Sequence, residues 1–170
     1  MYGSHFGIDT QYPARKCPQG TNIQDVISDR TFFITTNTWQ RRPIFRDDSK
    51  ANLMIEILLH YRAESKYLLH EFVIMPDHLH ALITPAQEIS LERAVQFIKG
   101  GFSFRMKSRV PIWQPSFTNH RVRSVEDFES HRQYIWLNPV RAKLVARPED
   151  YPYTSAKENF ERDAISEAIA

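Results

Sequence analysis

Apolar and polar positions along the chain follow two rhythms, one of period two and one of period three to four. Thr31 to Thr36 (Thr-Phe-Phe-Ile-Thr-Thr) is dense in β-branched and aromatic residues and predicts a strand. After Pro43, where Asp47 or Asp48 can cap, Ala51, Met54, Ile55, Leu58 and Leu59 recur with the spacing of one buried helical face. Tyr67 to Ile74 predicts a second strand. Met75, Pro76 and Asp77 predict a turn, since proline fixes φ and removes a donor, and His78 to Thr84 a third strand. Ser90 is placed to cap a helix whose inner face is Leu91, Ala94, Val95, Ile98, Phe102 and Met106. Within it Gly100 and Gly101 each cost about 1 kcal/mol relative to alanine, and predict a kink or the close approach of another backbone. Pro111 to Arg123 contains a fourth extended segment. A last helix starts at Ser124, with Asp127 three residues on in a capping pattern.

The order β-α-β-β-α-β plus one helix implies the α+β class: a ferredoxin-like antiparallel sheet with two helices on one face and the third strand central. The other face is left to the additional C-terminal helix, and a site is expected there. Residues 1–29 show no period and read as an N-terminal extension, 30–155 as the domain, and 156–170 as a C-terminal tail.

On the third strand, alternation turns His78 and His80 to one side and Leu79, Ala81 and Ile83 to the other. Two imidazoles so spaced can reach one divalent cation; they equally suit polar groups facing solvent. Tyr134 and Asn138 lie at i, i+4 and project from one helical face. Pro139 disfavours the α conformation for the residue before it, which puts Asn138 at a helix end or a kink. A phenol is a poor nucleophile at neutral pH, yet it attacks phosphorus when a metal polarises the phosphate and neutralises developing charge. The tyrosine would keep the 5′-phosphate and release a 3′-hydroxyl, so the ends could be rejoined without ATP.

Composition narrows the partners only slightly. The 170 residues suit one domain, and the net charge is +2. Distribution says more, because from Arg93 to Arg123 the charged side chains are Arg93, Lys99, Arg105, Lys107, Arg109, Arg121 and Arg123, with no acid among them. Such a stretch suits a phosphate backbone, and equally a solvated helix face. Trp113 and Phe117 are placed to stack on unpaired bases or to lie in the core beneath the fourth strand. His131, one turn before Tyr134, reads as a surface histidine, with a part in proton transfer as the alternative. The lone Cys17 excludes an internal disulfide framework and a multi-cysteine zinc site. No apolar run approaches the roughly 20 residues that span a bilayer, and Met1 to Thr10 lacks the pattern of a secretory signal. A cytoplasmic protein with no membrane partner is expected.

The string from Ile74 to Ile83, Ile-Met-Pro-Asp-His-Leu-His-Ala-Leu-Ile, resembles the HUH motif of single-tyrosine transposases. Trp113-Gln114-Pro115-Ser116-Phe117, Tyr134 to Ala142, and Tyr151-Pro152-Tyr153-Thr154-Ser155 are similar to motifs of the REP-associated tyrosine transposases, so that the resemblance runs from Arg30 to Ser155. It implies Tyr134 as nucleophile, His78, His80 and Asn138 as metal ligands, and Mg²⁺ or Mn²⁺ as cofactor; related branches carry glutamine where Asn138 stands. Imidazole ligands alone would equally admit Zn²⁺ or Ni²⁺. Asp77 departs from the family's usual asparagine and adds a carboxylate beside the pair. The resemblance further implies single-stranded or hairpin DNA as partner, cleaved beside a palindrome, and favours a monomer over a homodimer. A non-catalytic nucleic-acid-binding module on the same fold is the alternative, followed by a metal hydrolase whose nucleophile is water.

Overall fold

The structure, a computed structural model, describes residues 30–163. The predicted N-terminal extension and the last residues of the tail lie outside the described residues. Strand β1 (Phe32–Asn37) leads through two short 3-10 turns to α1 (Asp48–Ala63). Asp47 caps α1 by accepting from the Ser49 N–H at 3.0 Å. Strands β2 (Tyr67–Met75) and β3 (His78–Pro85) form a hairpin across Pro76 and Asp77. Ser90 caps α2 (Leu91–Met106), accepting from the Arg93 N–H at 3.2 Å. A short edge strand β4 (Thr118–Arg121) precedes α3 (Val125–Arg141), which Ser124 caps through the Asp127 N–H at 3.1 Å.

The four strands pair antiparallel in the order β2-β3-β1-β4, the ferredoxin-like arrangement with β3 and β1 at the centre. Directly paired residues point to the same face. One face therefore carries Ile34, Leu79, Ala81 and Ile83, all fully buried. Ala51, Met54, Leu58, Ala94, Ile98 and Phe102, from the inner faces of α1 and α2, are fully buried in the same core. The other face carries Phe33, Thr35 and Asn37 from β1, registered opposite Leu82, His80 and His78, with His120 of β4 opposite Phe33. α3 covers this second face through buried Phe128 and Ile135 and through Trp136, whose Nε1–H donates to Glu71 at 2.9 Å.

Two local expectations are corrected. α2 runs unbroken through Gly100 and Gly101, and the close approach there is a side chain: a Cβ at Gly101 would lie 2.6 Å from the Tyr61 ring of α1. α3 continues past Pro139 to Arg141, so Asn138 does not end it. Pro139 falls in the last turn, where a single backbone bond is lost and its buried ring offsets the cost. The carbonyls of Asn138 and Pro139 still accept, from Ala142 at 3.0 Å and Leu144 at 2.9 Å.

The segment from Tyr151 to Ser155 seals the outer edge of β2. Ile74 N–H donates to the Tyr153 carbonyl and Ser155 N–H to the Phe72 carbonyl, both at 2.9 Å. An unpaired edge is a template for association, and this one is covered. Beyond it, Asp163 returns to the domain. Both its oxygens accept from buried Arg62 of α1 at 2.9 Å, and one also takes the Leu69 N–H at 2.8 Å. Removing one partner of a buried pair leaves the other charged and desolvated, at a cost of about 3–5 kcal/mol. Arg62→Ala is therefore expected to lower unfolding free energy by that amount in urea titrations. A loss below about 1 kcal/mol, typical of exposed pairs, would show that the residues up to Asp163 are not docked as described.

Candidate active site

His78 and His80 lie on one face because β3 alternates, and the β1 register places Asn37 and Thr35 beside them. Their rings meet edge to face, with centroids 4.6 Å apart. Each ring is oriented by a hydrogen bond at Nδ1. His78 Nδ1 is 2.6 Å from the Asp77 carboxylate, and His80 Nδ1 is 2.7 Å from Thr35 Oγ1. In both rings Nε2 is thus the nitrogen left for another partner. Asp77 also meets Arg41 at 3.5 Å. Gln40 and Arg41 hold positive φ, 54° and 55°, a conformation that costs non-glycine residues about 1–2 kcal/mol each.

α3 brings the phenol to this pair. The Tyr134 ring stands 5.3 Å from His80 and 5.8 Å from Phe33, and Tyr134 remains 40% exposed. Phe33 acts as the shared floor, stacked on His80 at 5.3 Å. The Arg141 guanidinium lies over the Tyr134 ring at 5.6 Å. Asn138, one turn beyond Tyr134 on the same helix, is half-buried, and among the described residues its amide makes no hydrogen bond. A second amide stands nearby in register. Asn37 Oδ1, opposite His78, is buried and has no partner among the described residues.

Burial governs the electrostatics. It pushes His78 below its ordinary value, an effect that Asp77 opposes. His80 is pushed down to about 3, first by burial and then by the charges of His78 and Arg41. Both rings are therefore neutral at physiological pH, with a lone pair available on each.

The basic residues divide. Arg121 and Arg123 belong to β4 and the turn after it, on the edge bordering the site, and both are exposed. Arg93, Arg105, Lys107 and Arg109 are exposed on α2 and just beyond it, in the helical layer behind the sheet. Arg93 lies over the Phe97 ring at 4.8 Å, and Arg105 pairs with Glu56 at 3.2 Å. Lys99 is committed inside the protein: its Nζ donates to the carbonyls of Gln114 and Pro115 at 2.6 and 3.2 Å, and burial lowers its pKa. Trp113 lies in the core, 8% exposed, packed on Phe45 and Phe102, with Nε1–H donating to the Lys99 carbonyl at 3.0 Å. Its ring does not reach the surface, so Phe117, only partly buried, is the aromatic of that loop with an exposed side.

Several participants escape sequence reasoning. Thr35 and Phe33 become neighbours of His80 only through strand register. Asp127 was legible as a capping residue, yet its carboxylate also accepts from the Arg123 N–H at 3.1 Å and meets both His120 and His131. The i, i+4 spacing of Asp127 and His131 was the one available signal.

Residues 28–138 match the family model described as transposase IS200 like. A REP-associated tyrosine transposase of Escherichia coli (strain K12) is 26% identical over 134 residues, 78% of each chain. The solved structure of a REP-associated tyrosine transposase bound to a REP hairpin superposes with a TM-score of 0.66 at 25% identity, covering 76% of this chain and 78% of the other. Among the described residues, no helix is long and apolar enough to cross a membrane.

The neutral state of His80 has a measurable consequence. A folded pKa below the unfolded value near 6.5 means that the unfolded chain binds the extra proton as pH falls. With chelator present, stability is expected to be level above pH 7. Below pH 6.5 it should fall, by up to about 1.4 kcal/mol per pH unit for each imidazole still neutral. His80→Gln is expected to flatten that slope in urea titrations; an unchanged slope would mean that His80 is solvated.

Proposed function

This chain belongs to the IS200-like transposase family, and from that premise we propose that it is a metal-dependent single-stranded DNA endonuclease and strand transferase, acting through Tyr134 beside hairpin DNA. The observation that carries the reading is the half-exposed Tyr134 ring set 5.3 Å from His80, on the sheet face shared with His78.

The donor set fits a divalent cation. Two neutral imidazoles present Nε2 while Asp77 and Thr35 orient them from behind, the outer-shell arrangement of metal-binding histidines. Asn138 is proposed as the third protein ligand, being one helical turn from Tyr134 with its amide unspent. The unpartnered Asn37 Oδ1 beside His78 is a further polar atom suited to such a site. A bound Mg²⁺ or Mn²⁺ would supply Lewis-acid neutralisation of the scissile phosphate. The choice of these ions rests on the family resemblance, since the imidazole donors themselves equally admit Zn²⁺ or Ni²⁺.

The chain's own residues do the rest. Tyr134 Oη attacks the phosphorus, losing its proton; the bond from phosphorus to the 3′-oxygen breaks, and that oxygen leaves as a hydroxyl after taking a proton. The 5′-phosphate stays on Tyr134 as a phosphotyrosine diester, and attack by a 3′-hydroxyl reverses the step onto the same or another strand. Phe33 fixes the phenol's approach from below. Arg121 and Arg123 on the adjoining edge are placed for phosphate contacts near the cut. Arg93, Arg105, Lys107 and Arg109 would engage a duplex stem that wraps past that edge, adding affinity that falls with salt. Lys99 and Trp113 support the loop between them.

The test uses hairpin DNA with a labelled single-stranded flank and Mn²⁺. Wild-type protein is expected to become covalently labelled. Tyr134→Phe should give no adduct, and His78→Ala should lower the rate by about 100-fold or more, the scale of losing one strong transition-state contact. Undiminished cleavage by Tyr134→Phe would replace the tyrosine with water as nucleophile. Salt-sensitive binding without cleavage, indifferent to chelator, would reduce the chain to a binding module.

A further inference from the structure

Beside the site just described, on the same sheet face, three groups from two elements converge. His120 of β4 approaches Asp127 with Nε2 at 2.9 Å from one carboxylate oxygen and 3.1 Å from the other. His131 of α3 places Nδ1 at 3.0 Å from the same carboxylate and 2.8 Å from the Asp127 carbonyl. The two imidazoles stack with centroids 4.6 Å apart and planes inclined by 23°, so both present nitrogen edges toward one carboxylate. One ligand atom from each residue lies within 4.8 Å of the other two.

From this geometry we infer a second divalent-cation site, formed by His120, Asp127 and His131 and distinct from the His78–His80 pair. Two imidazoles and one carboxylate form a borderline-soft donor set suited to Zn²⁺, Co²⁺ or Ni²⁺, leaving a coordination position for water. With metal–ligand distances of about 2.0–2.2 Å, tetrahedral ligands stand about 3.3–3.5 Å apart. The nitrogen–carboxylate spacings of 2.9 and 3.0 Å would open slightly and the nitrogens, within 4.8 Å, would draw to that range by side-chain rotation. A cation at His131 Nδ1 would displace the proton now shared with the Asp127 carbonyl, while the remaining supports are already built. Asp127 is held by the Arg123 N–H at 3.1 Å, and its own N–H is tied to Ser124 at 3.1 Å. The His131 ring is braced against Phe33 at 4.7 Å. Only His120 is largely exposed, on a four-residue edge strand.

The position of the site gives it a consequence. β4 is the shortest strand and lies at the sheet edge, and α3 carries Tyr134 three residues after His131. A cation bound to one group from β4 and two from α3 clamps that edge to the helix, fixing the phenol relative to Phe33 and His80. The clamp is structural, so metal binding can be assayed in protein whose first pair has been removed.

The test uses the full chain carrying His78→Ala and His80→Ala, dialysed against Zn²⁺ for elemental analysis and titrated with Co²⁺ while following visible d–d absorption. A stoichiometric equivalent is expected to remain bound and to raise the melting temperature. Adding His120→Ala should weaken it by well over tenfold, since even outer-shell changes cost about 10–100-fold. Because His120 is exposed, that variant should still melt cooperatively, and circular dichroism checks this. Absence of binding after loss of the first pair would overturn the inference, leaving a hydrogen-bonded cluster only. Binding that survives His120→Ala combined with His131→Ala would overturn it equally. Neither result bears on cleavage through Tyr134.

Discussion

The pairing of β1 with β3 sets Thr35 opposite His80 and Asn37 opposite His78, and the rest of the molecule is built around that register. A slip of one residue would turn both imidazoles into the apolar layer under α1 and α2, and bring Leu79 and Ala81 out beneath α3. Burial on both faces prevents the slip, because Leu79, Ala81, Ile83 and Ile34 are fully enclosed on the helical side. Registry is thus enforced by hydrophobic burial and used for polar chemistry.

Placing two histidines in the centre of a sheet carries an electrostatic cost. Desolvation holds His80 near 3 and His78 below its usual range, so protonation, and with it repulsion of a cation, is suppressed where a cation would bind. Asp77 engages Nδ1 of His78 and Thr35 engages Nδ1 of His80, which leaves Nε2 of each ring for another partner. α3 then closes over the same face with Tyr134 half exposed, its ring against His80 and Phe33. The phenol is 40% exposed, while its ring is set against His80 and Phe33 of the sheet. Membership of the IS200-like transposases gives this arrangement its context, and a REP-associated tyrosine transposase of similar fold has been solved bound to a REP hairpin.

Much of this was legible in the residues. Period-three-to-four spacing located the helices, and runs of β-branched and aromatic residues with alternation located the first three strands, although β2 and β3 prove buried on both faces; the fourth strand was placed only as an extended segment within Pro111 to Arg123. The His-x-His pair and Tyr134 declared themselves through spacing. The functional roles came from resemblance rather than from periodicity. What stayed hidden depends on three-dimensional register or on competition between local and tertiary terms. Pro139 argued against helix at Asn138, yet packing of α3 on the sheet overrode that local preference. Trp113 was open either to base stacking or to the core, and only its three-dimensional setting, with the indole bonded to the Lys99 carbonyl, assigns it to the core. His120 stands seven residues before Asp127 and eleven before His131, and strand alternation alone gives no hint that the three meet.

The proposed function requires Nε2 of His78 and of His80 to hold one cation on the sheet face that Tyr134 shares. Anomalous diffraction from crystals soaked in Mn²⁺ tests it most directly. The account predicts a manganese peak at about 2.1–2.3 Å from Nε2 of both His78 and His80, with the Tyr134 hydroxyl on the same side. A peak bound through Nδ1, no peak between the rings, or a tyrosine turned away from them would contradict it.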